Sequence, residues 1–90
     1  MQIEFDNNKR DITLAERGLD FSRAAEVFAG RTLTRVDDRH EYGEERFATA
    51  GWLDGRIVII VWTPRGTARR IISMRNANER ESKKLTPHLG

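Results

Sequence analysis

An Asp54-Gly55 pair between two runs of strand-forming residues is the feature that most limits how this chain can fold. A type I′ turn needs positive φ at both central positions, and Asp-Gly adopts that conformation at low cost. The pair predicts a two-residue hairpin in which Arg46–Leu53 runs antiparallel to Arg56–Thr63. In that register Leu53 faces Arg56, Trp52 faces Ile57, Ala50 faces Ile59 and Phe47 faces Trp62. Pro64-Arg65-Gly66-Thr67 reads as a four-residue second turn, and Ala68–Arg75 as the next strand. Val61 would then face Arg70, Ile59 would face Ile72, and Ile57 would face Met74.

The flanking segments carry helix signals. Met1–Phe5 alternates like a short strand, and Asp6 is placed to cap a helix over Asn7–Arg17 that Gly18 closes. Asp20 caps a second helix, whose Phe21, Ala24, Ala25 and Phe28 recur at the i, i+3, i+4, i+7 spacing of one buried face before Gly30. Arg31–Val36 reads as a strand, Asp37–Glu45 as a polar loop, and Asn76 to about Leu85 as a helix stopped by Pro87. The expected fold is α+β in a single domain over residues 1–90. An antiparallel meander forms its sheet, with two N-terminal helices and one C-terminal helix.

Alternation along the meander separates two faces. Ala48, Ala50, Trp52, Ile57, Ile59, Val61, Ile72 and Met74 make one apolar face, which is expected to receive the helices. The other carries Phe47, Thr49, Val58, Ile60, Trp62, Arg56, Arg69, Ile71, Ser73 and Arg75, a mixture suited to holding an anion.

Composition narrows the chemistry. The 90 residues include no cysteine, which excludes disulfides and thiolate metal sites, and two separated histidines, His40 and His88, which argue against a catalytic zinc. The longest apolar run, Ile57–Trp62, is far short of the ~18 residues a membrane-spanning helix needs. MQIEFDNNKR lacks the apolar stretch of a signal peptide. The expectation is a cytoplasmic protein with no cofactor and no membrane contact.

The net charge of +2 conceals an asymmetry. Residues 1–63 hold nine Lys and Arg against twelve Asp and Glu, whereas residues 64–80 hold five arginines against Glu79 alone. Arg65, Arg69, Arg70, Arg75 and Arg80 are all arginine, whose planar fork suits bidentate contact with phosphate. Such a constellation can bind RNA phosphates and stabilise the charge that develops when a phosphodiester is attacked. Arg75 is the first choice for that role, followed by Arg69 and Arg65. Arg70 also fits the rim of the apolar face, with its stem packed and its head in water. Solvated arginines on an edge strand are the plainer explanation of the whole run. Rings as large as Trp52 and Trp62 belong to small cores and interfaces more often than to base-stacking platforms. His40, Tyr42 and Glu44 share a loop, but no spacing selects any of them as a proton-transfer group.

The order of these pieces resembles the BrnT family, toxins of bacterial type II toxin–antitoxin pairs. The likeness runs from IEFDNNKRDITLAERGLDFSRAAEVF through Glu44-Glu45-Arg46-Phe47, the Gly51 strand and Trp62-Thr63. It continues in Arg65-Gly66, Arg70-Ile71-Ile72-Ser73-Met74-Arg75, Ala77 and Glu79-Arg80-Glu81. Glu16-Arg17-Gly18 stands where the family usually has Lys-His-Gly, so no histidine role carries over to Glu16. Trp62 likewise occupies a place where a histidine is common.

The resemblance implies a RelE-like fold and an RNA-cleaving toxin that arrests translation without a metal. It also implies neutralisation by a BrnA-type antitoxin, through which alone the toxin would meet DNA. On that reading Arg75, Arg69 and Arg65 are catalytic, and Arg70, Arg80, Trp62 and Ser73 contact RNA. The alternative is a non-catalytic RNA-binding or partner-binding module, a degenerate toxin whose basic face only docks an acidic segment.

Overall fold

The computed structural model of the chain describes residues 1–90. Its elements are β1 (Gln2–Phe5), α1 (Asn7–Arg17), a 3-10 turn (Phe21–Arg23), α2 (Ala24–Ala29), β2 (Thr32–Val36), β3 (Phe47–Leu53), β4 (Arg56–Arg65), β5 (Ala68–Asn76) and α3 (Glu79–Leu89). The strands form one sheet in the order β1-β5-β4-β3-β2. No helix is long and apolar enough to cross a membrane.

Local chemistry sets the helix ends. The Asp6 carboxylate accepts the Lys9 N–H, and Gly18, at φ 70°, donates its N–H to the Leu14 carbonyl. Asp20 accepts from the Ser22 N–H and takes two 2.9 Å bonds from Arg10, tying α1 to the turn that follows. The segment after Asp20 begins as a 3-10 turn and becomes α-helical only at Ala24, so the continuous helix expected from Phe21 is split.

The β3–β4 hairpin has the expected register from Leu53↔Arg56 to Phe47↔Trp62, with Asp54 and Gly55 at φ 51° and 77°. Two other expectations are corrected. The sheet is mixed, because β1 pairs parallel to β5 from Gln2↔Ala68 to Phe5↔Ile71. That pairing fills the edge left open by the meander and packs Ile3 and Phe5 against the core. The second turn is also tighter than four residues. β4 continues through Arg65, which pairs with Ala68, and Gly66 reverses the chain at φ 59°.

From that turn the ladder runs regularly to Trp62↔Ile71 and then shifts, so that Val61 pairs with Ser73. Ile72 is the extra residue of a bulge, and the residues beyond it change face. Ile59 consequently faces Arg75 rather than Ile72, and Met74 faces Ile60 rather than Ile57.

Along β3 and β4 the faces are the other way round from the sequence expectation, while Met74 keeps the helix-covered side and Ser73 and Arg75 the opposite one. Leu53, Val58, Ile60, Trp62, Ile71 and Met74 pack beneath Leu19, Phe21, Ala24 and Val27 and form the main core. Bulky side chains fill this side. Gly51 admits α2, since a Cβ there would lie 2.7 Å from Val27 Cγ1. The opposite face carries the small Ala48 and Ala50 and is covered only at one end, where Ala50 and Ile57 meet Leu89 and, less deeply, Leu85 of α3.

Asn78 and Glu81 form a capping box that starts α3. The helix does not stop before Pro87 but runs through it to Leu89, which is buried. Leu89 packs against Ala50 and Ile57 while Trp52 Nε1 donates to its carbonyl, and these contacts hold the last turn that proline alone would disfavour.

Candidate functional site

Beyond α3 no helix covers the second face of the sheet, although Val61 and Thr63 on it are buried. Alternation and pairing bring Arg35 of β2, Ala48 of β3, Val61, Thr63 and Arg65 of β4, and Arg70, Ser73 and Arg75 of β5 onto it. Arg46, just before β3, is linked to Arg65 of this face through Glu44.

Arg75 lies at the α3 edge of this surface. Its Nη1 and Nη2 donate to Oε1 and Oε2 of Glu81 at 2.7 and 2.8 Å, the parallel geometry of a fork on a carboxylate. Glu81 Oε1 also accepts the Asn78 N–H. The Arg75 guanidinium, helped by that N–H, holds the Glu81 carboxyl down at about 2. Glu81 in turn raises the Arg75 pKa, a rise opposed by partial burial and, less strongly, by the charge of Arg39.

The Asp37–Glu45 loop closes the opposite side. Asp37 is buried, donates its N–H to the Arg46 carbonyl, and accepts two bonds from Arg39 at 2.6 and 2.9 Å. Those bonds keep its carboxyl below the usual range. Arg46 lies 3.9 Å over the Tyr42 ring and donates to Glu44, whose other oxygen accepts from Arg65 at 3.4 Å. His40 meets the Tyr42 ring edge-on. Thr63 Oγ1 ties the base of the loop to β4 by donating to the Glu45 carbonyl.

The arginines singled out in the sequence do not all converge. Arg65, Arg70 and Arg75 share the open face, with Arg70 loosely paired to Glu4 of β1 at 3.4 Å. Ser73 sits on its floor opposite Val61. Arg80 is exposed on the first turn of α3, near Lys83 and Lys84. Arg69 leaves the other face of the sheet, where its guanidinium stacks 4.5 Å from both the Phe28 and Trp62 rings. The bulge at Ile72 separates it from Arg75, which even spacing would have put on the same side.

Trp62 is buried in the core. Its indole N–H donates to Thr49 Oγ1, which in turn pairs with Thr34 Oγ1. The hydroxyl that suggested a ligand face is thus an internal partner.

Arg35, Arg39 and Arg46 escaped the sequence reading because the acidic total of residues 1–63 hid them. The alternation of Arg46 with Ala48 was the available signal. With them the surface gathers six arginines, Arg35, Arg39, Arg46, Arg65, Arg70 and Arg75, against Glu4, Asp37, Glu44 and Glu81. Planar donors over a shallow floor of small side chains can hold a run of phosphates. No three His, Cys, Asp or Glu side chains converge as a metal-ligand set.

No curated protein matches the chain. A family model described as the ribonuclease toxin BrnT of type II toxin–antitoxin systems matches residues 5–81. The matched region begins in β1 and ends at Glu81, so it takes in the arginine-lined face from one side to the other. The chain belongs to the BrnT family of type II toxin–antitoxin ribonuclease toxins.

Proposed function

We propose that the open arginine face cleaves RNA in the cytoplasm and so blocks translation, and that a BrnA-type antitoxin neutralises it. The fold would be related to that of RelE-type ribonucleases. The observation that carries this reading is the gathering of Arg46, Arg65, Arg70 and Arg75 on one uncovered face in a member of a ribonuclease toxin family.

In the proposed reaction the RNA's own 2′-hydroxyl attacks the adjacent phosphorus and the P–O5′ bond breaks. The products are a 2′,3′-cyclic phosphate and a 5′-hydroxyl. Arg75, rather than a metal ion, meets the charge that builds on the non-bridging oxygens. Arg65, Arg70 and Arg46 hold the flanking phosphates, which fixes the attacking geometry. Ser73 and Arg80 lie where the strand would pass. Glu44, an exposed carboxylate between Arg46 and Arg65, accepts the 2′-hydroxyl proton, and the departing 5′-oxygen takes its proton from water.

The test is incubation of the purified protein with a synthetic RNA and with the same strand carrying 2′-deoxy sugars. Cyclic phosphate ends from the RNA and an intact deoxy strand are expected. Cleavage of both strands, or 3′-hydroxyl ends, contradicts the reaction. Uncut RNA with folded protein favours the non-catalytic binding module instead.

A further inference from the structure

We propose that Glu81 is a built-in competitor for Arg75, displaced by an RNA phosphate when a strand of several nucleotides binds. The proposal rests on the reading of the open face as an RNA site and adds a selectivity to it.

Both terminal nitrogens of Arg75 are committed to both oxygens of Glu81, so the fork that a phosphate would use is already filled by an anion of matching shape. The side chains are 42% and 30% exposed, which leaves the pair within reach of a strand lying on the sheet. Arg65 and Arg70 differ: each has one carboxylate contact, at 3.4 Å, and keeps donors free. A strand can therefore engage these two first and Arg75 only by exchange.

Exchange is feasible because Glu81 has somewhere to stay. It remains bonded to the Asn78 N–H in the capping box and close to the positive charge of Arg35.

The consequence is discrimination by length. A single phosphate must displace a tethered carboxylate with no other gain. A strand already held at Arg65 and Arg70 presents its next phosphate to Arg75 at high effective concentration. Inorganic phosphate thus leaves the pair closed, whereas an oligonucleotide opens it.

Glu81→Gln separates the charge from the cap, since glutamine serves equally at the third position of a capping box. The probes are a 2′-O-methyl oligoribonucleotide, which has no attacking hydroxyl, inorganic phosphate, and an oligoglutamate peptide. Glu81→Gln should bind the oligonucleotide about five-fold more tightly than the parent, the order of a partly exposed ion pair. Its salt dependence should steepen by about 0.7, the increment for one more phosphate neutralised without cation uptake by a freed carboxylate. In the parent, the oligonucleotide but not inorganic phosphate should shift the Asn78 amide resonance. The gain from Glu81→Gln should vanish in an Arg75→Ala background.

Equal affinity of Glu81→Gln and parent, with Arg75→Ala weakened, overturns the competitor and leaves the RNA site standing. No RNA binding by the parent or Glu81→Gln overturns the site itself. A gain for oligoglutamate alone assigns Arg75 to an acidic protein partner and also overturns the proposal.

Discussion

Arg69 stacks on Trp62 on one face of the sheet while Arg75, further along the same strand, grips Glu81 on the other. The switch is made by Ile72, the unpaired residue between Trp62↔Ile71 and Val61↔Ser73. Because of that one residue, two arginines of identical chemistry have different work. Arg69 closes the hydrophobic core with its planar cation, and Arg75 is half-exposed and paired with a carboxylate.

Replacing Arg69 should accordingly be felt in stability. Arg69→Ala removes stacking on two rings, about 1 kcal/mol. In a chain this short that lowers the melting temperature by about 4–8 °C. Thermal unfolding followed by circular dichroism checks it, and Arg69→Lys should recover only part, since an ammonium cannot stack as a plane.

The Thr34–Thr49–Trp62 chain makes a second demand. Thr49→Val keeps the shape but strands the buried indole N–H, at a cost of about 1–3 kcal/mol. Thr49→Ser should keep the bond and lose much less. Urea midpoints of the two variants against the parent distinguish a lost hydrogen bond from a lost methyl group.

Acid should destabilise the fold through a defined set of carboxylates. Arg75 holds Glu81 near 2, Arg10 lowers Asp20, Arg23 lowers Asp54 and Glu26, and Arg39 lowers Asp37. Each has a folded pKa below its unfolded one, so its contribution is complete above the unfolded value and disappears as pH falls through the folded one. The melting temperature should stay level from pH 7 to about 5 and then drop between about 4 and 2. Glu81→Gln should make that drop shallower, whereas a melting temperature that rises on acidification contradicts the assignment.

How much of this was legible depended on the range of the interaction. The Asp54-Gly55 turn has few conformations available and its strands are adjacent in sequence, so the whole β3–β4 register followed from two residues. The same holds for the caps at Asp6 and Gly18. The Ile72 bulge has no local signature, and it decided which arginines meet. The parallel β1–β5 pair joins residues more than sixty positions apart, which no local pattern encodes. Arg46 and Arg39 reach the site only through the fold of the Asp37–Glu45 loop, held by Asp37 and Thr63. Sequence alternation put Arg75 beside Arg69 and Trp62, whereas the bulge sends Arg75 to the other face and leaves Arg69 against the core.

Cleavage by Arg75→Ala and Arg69→Ala, measured in parallel at saturating RNA, tests the account most directly. Both proteins must first be shown to be folded at the assay temperature. If the open face carries the chemistry, Arg75→Ala loses a charge contact made mainly in the transition state, and its turnover falls about 100-fold or more. Arg69→Ala, on the far side of the sheet, should turn over within a few-fold of the parent. The opposite outcome, with Arg75→Ala cutting as well as the parent and Arg69→Ala inactive while folded, would place the active site on the other face.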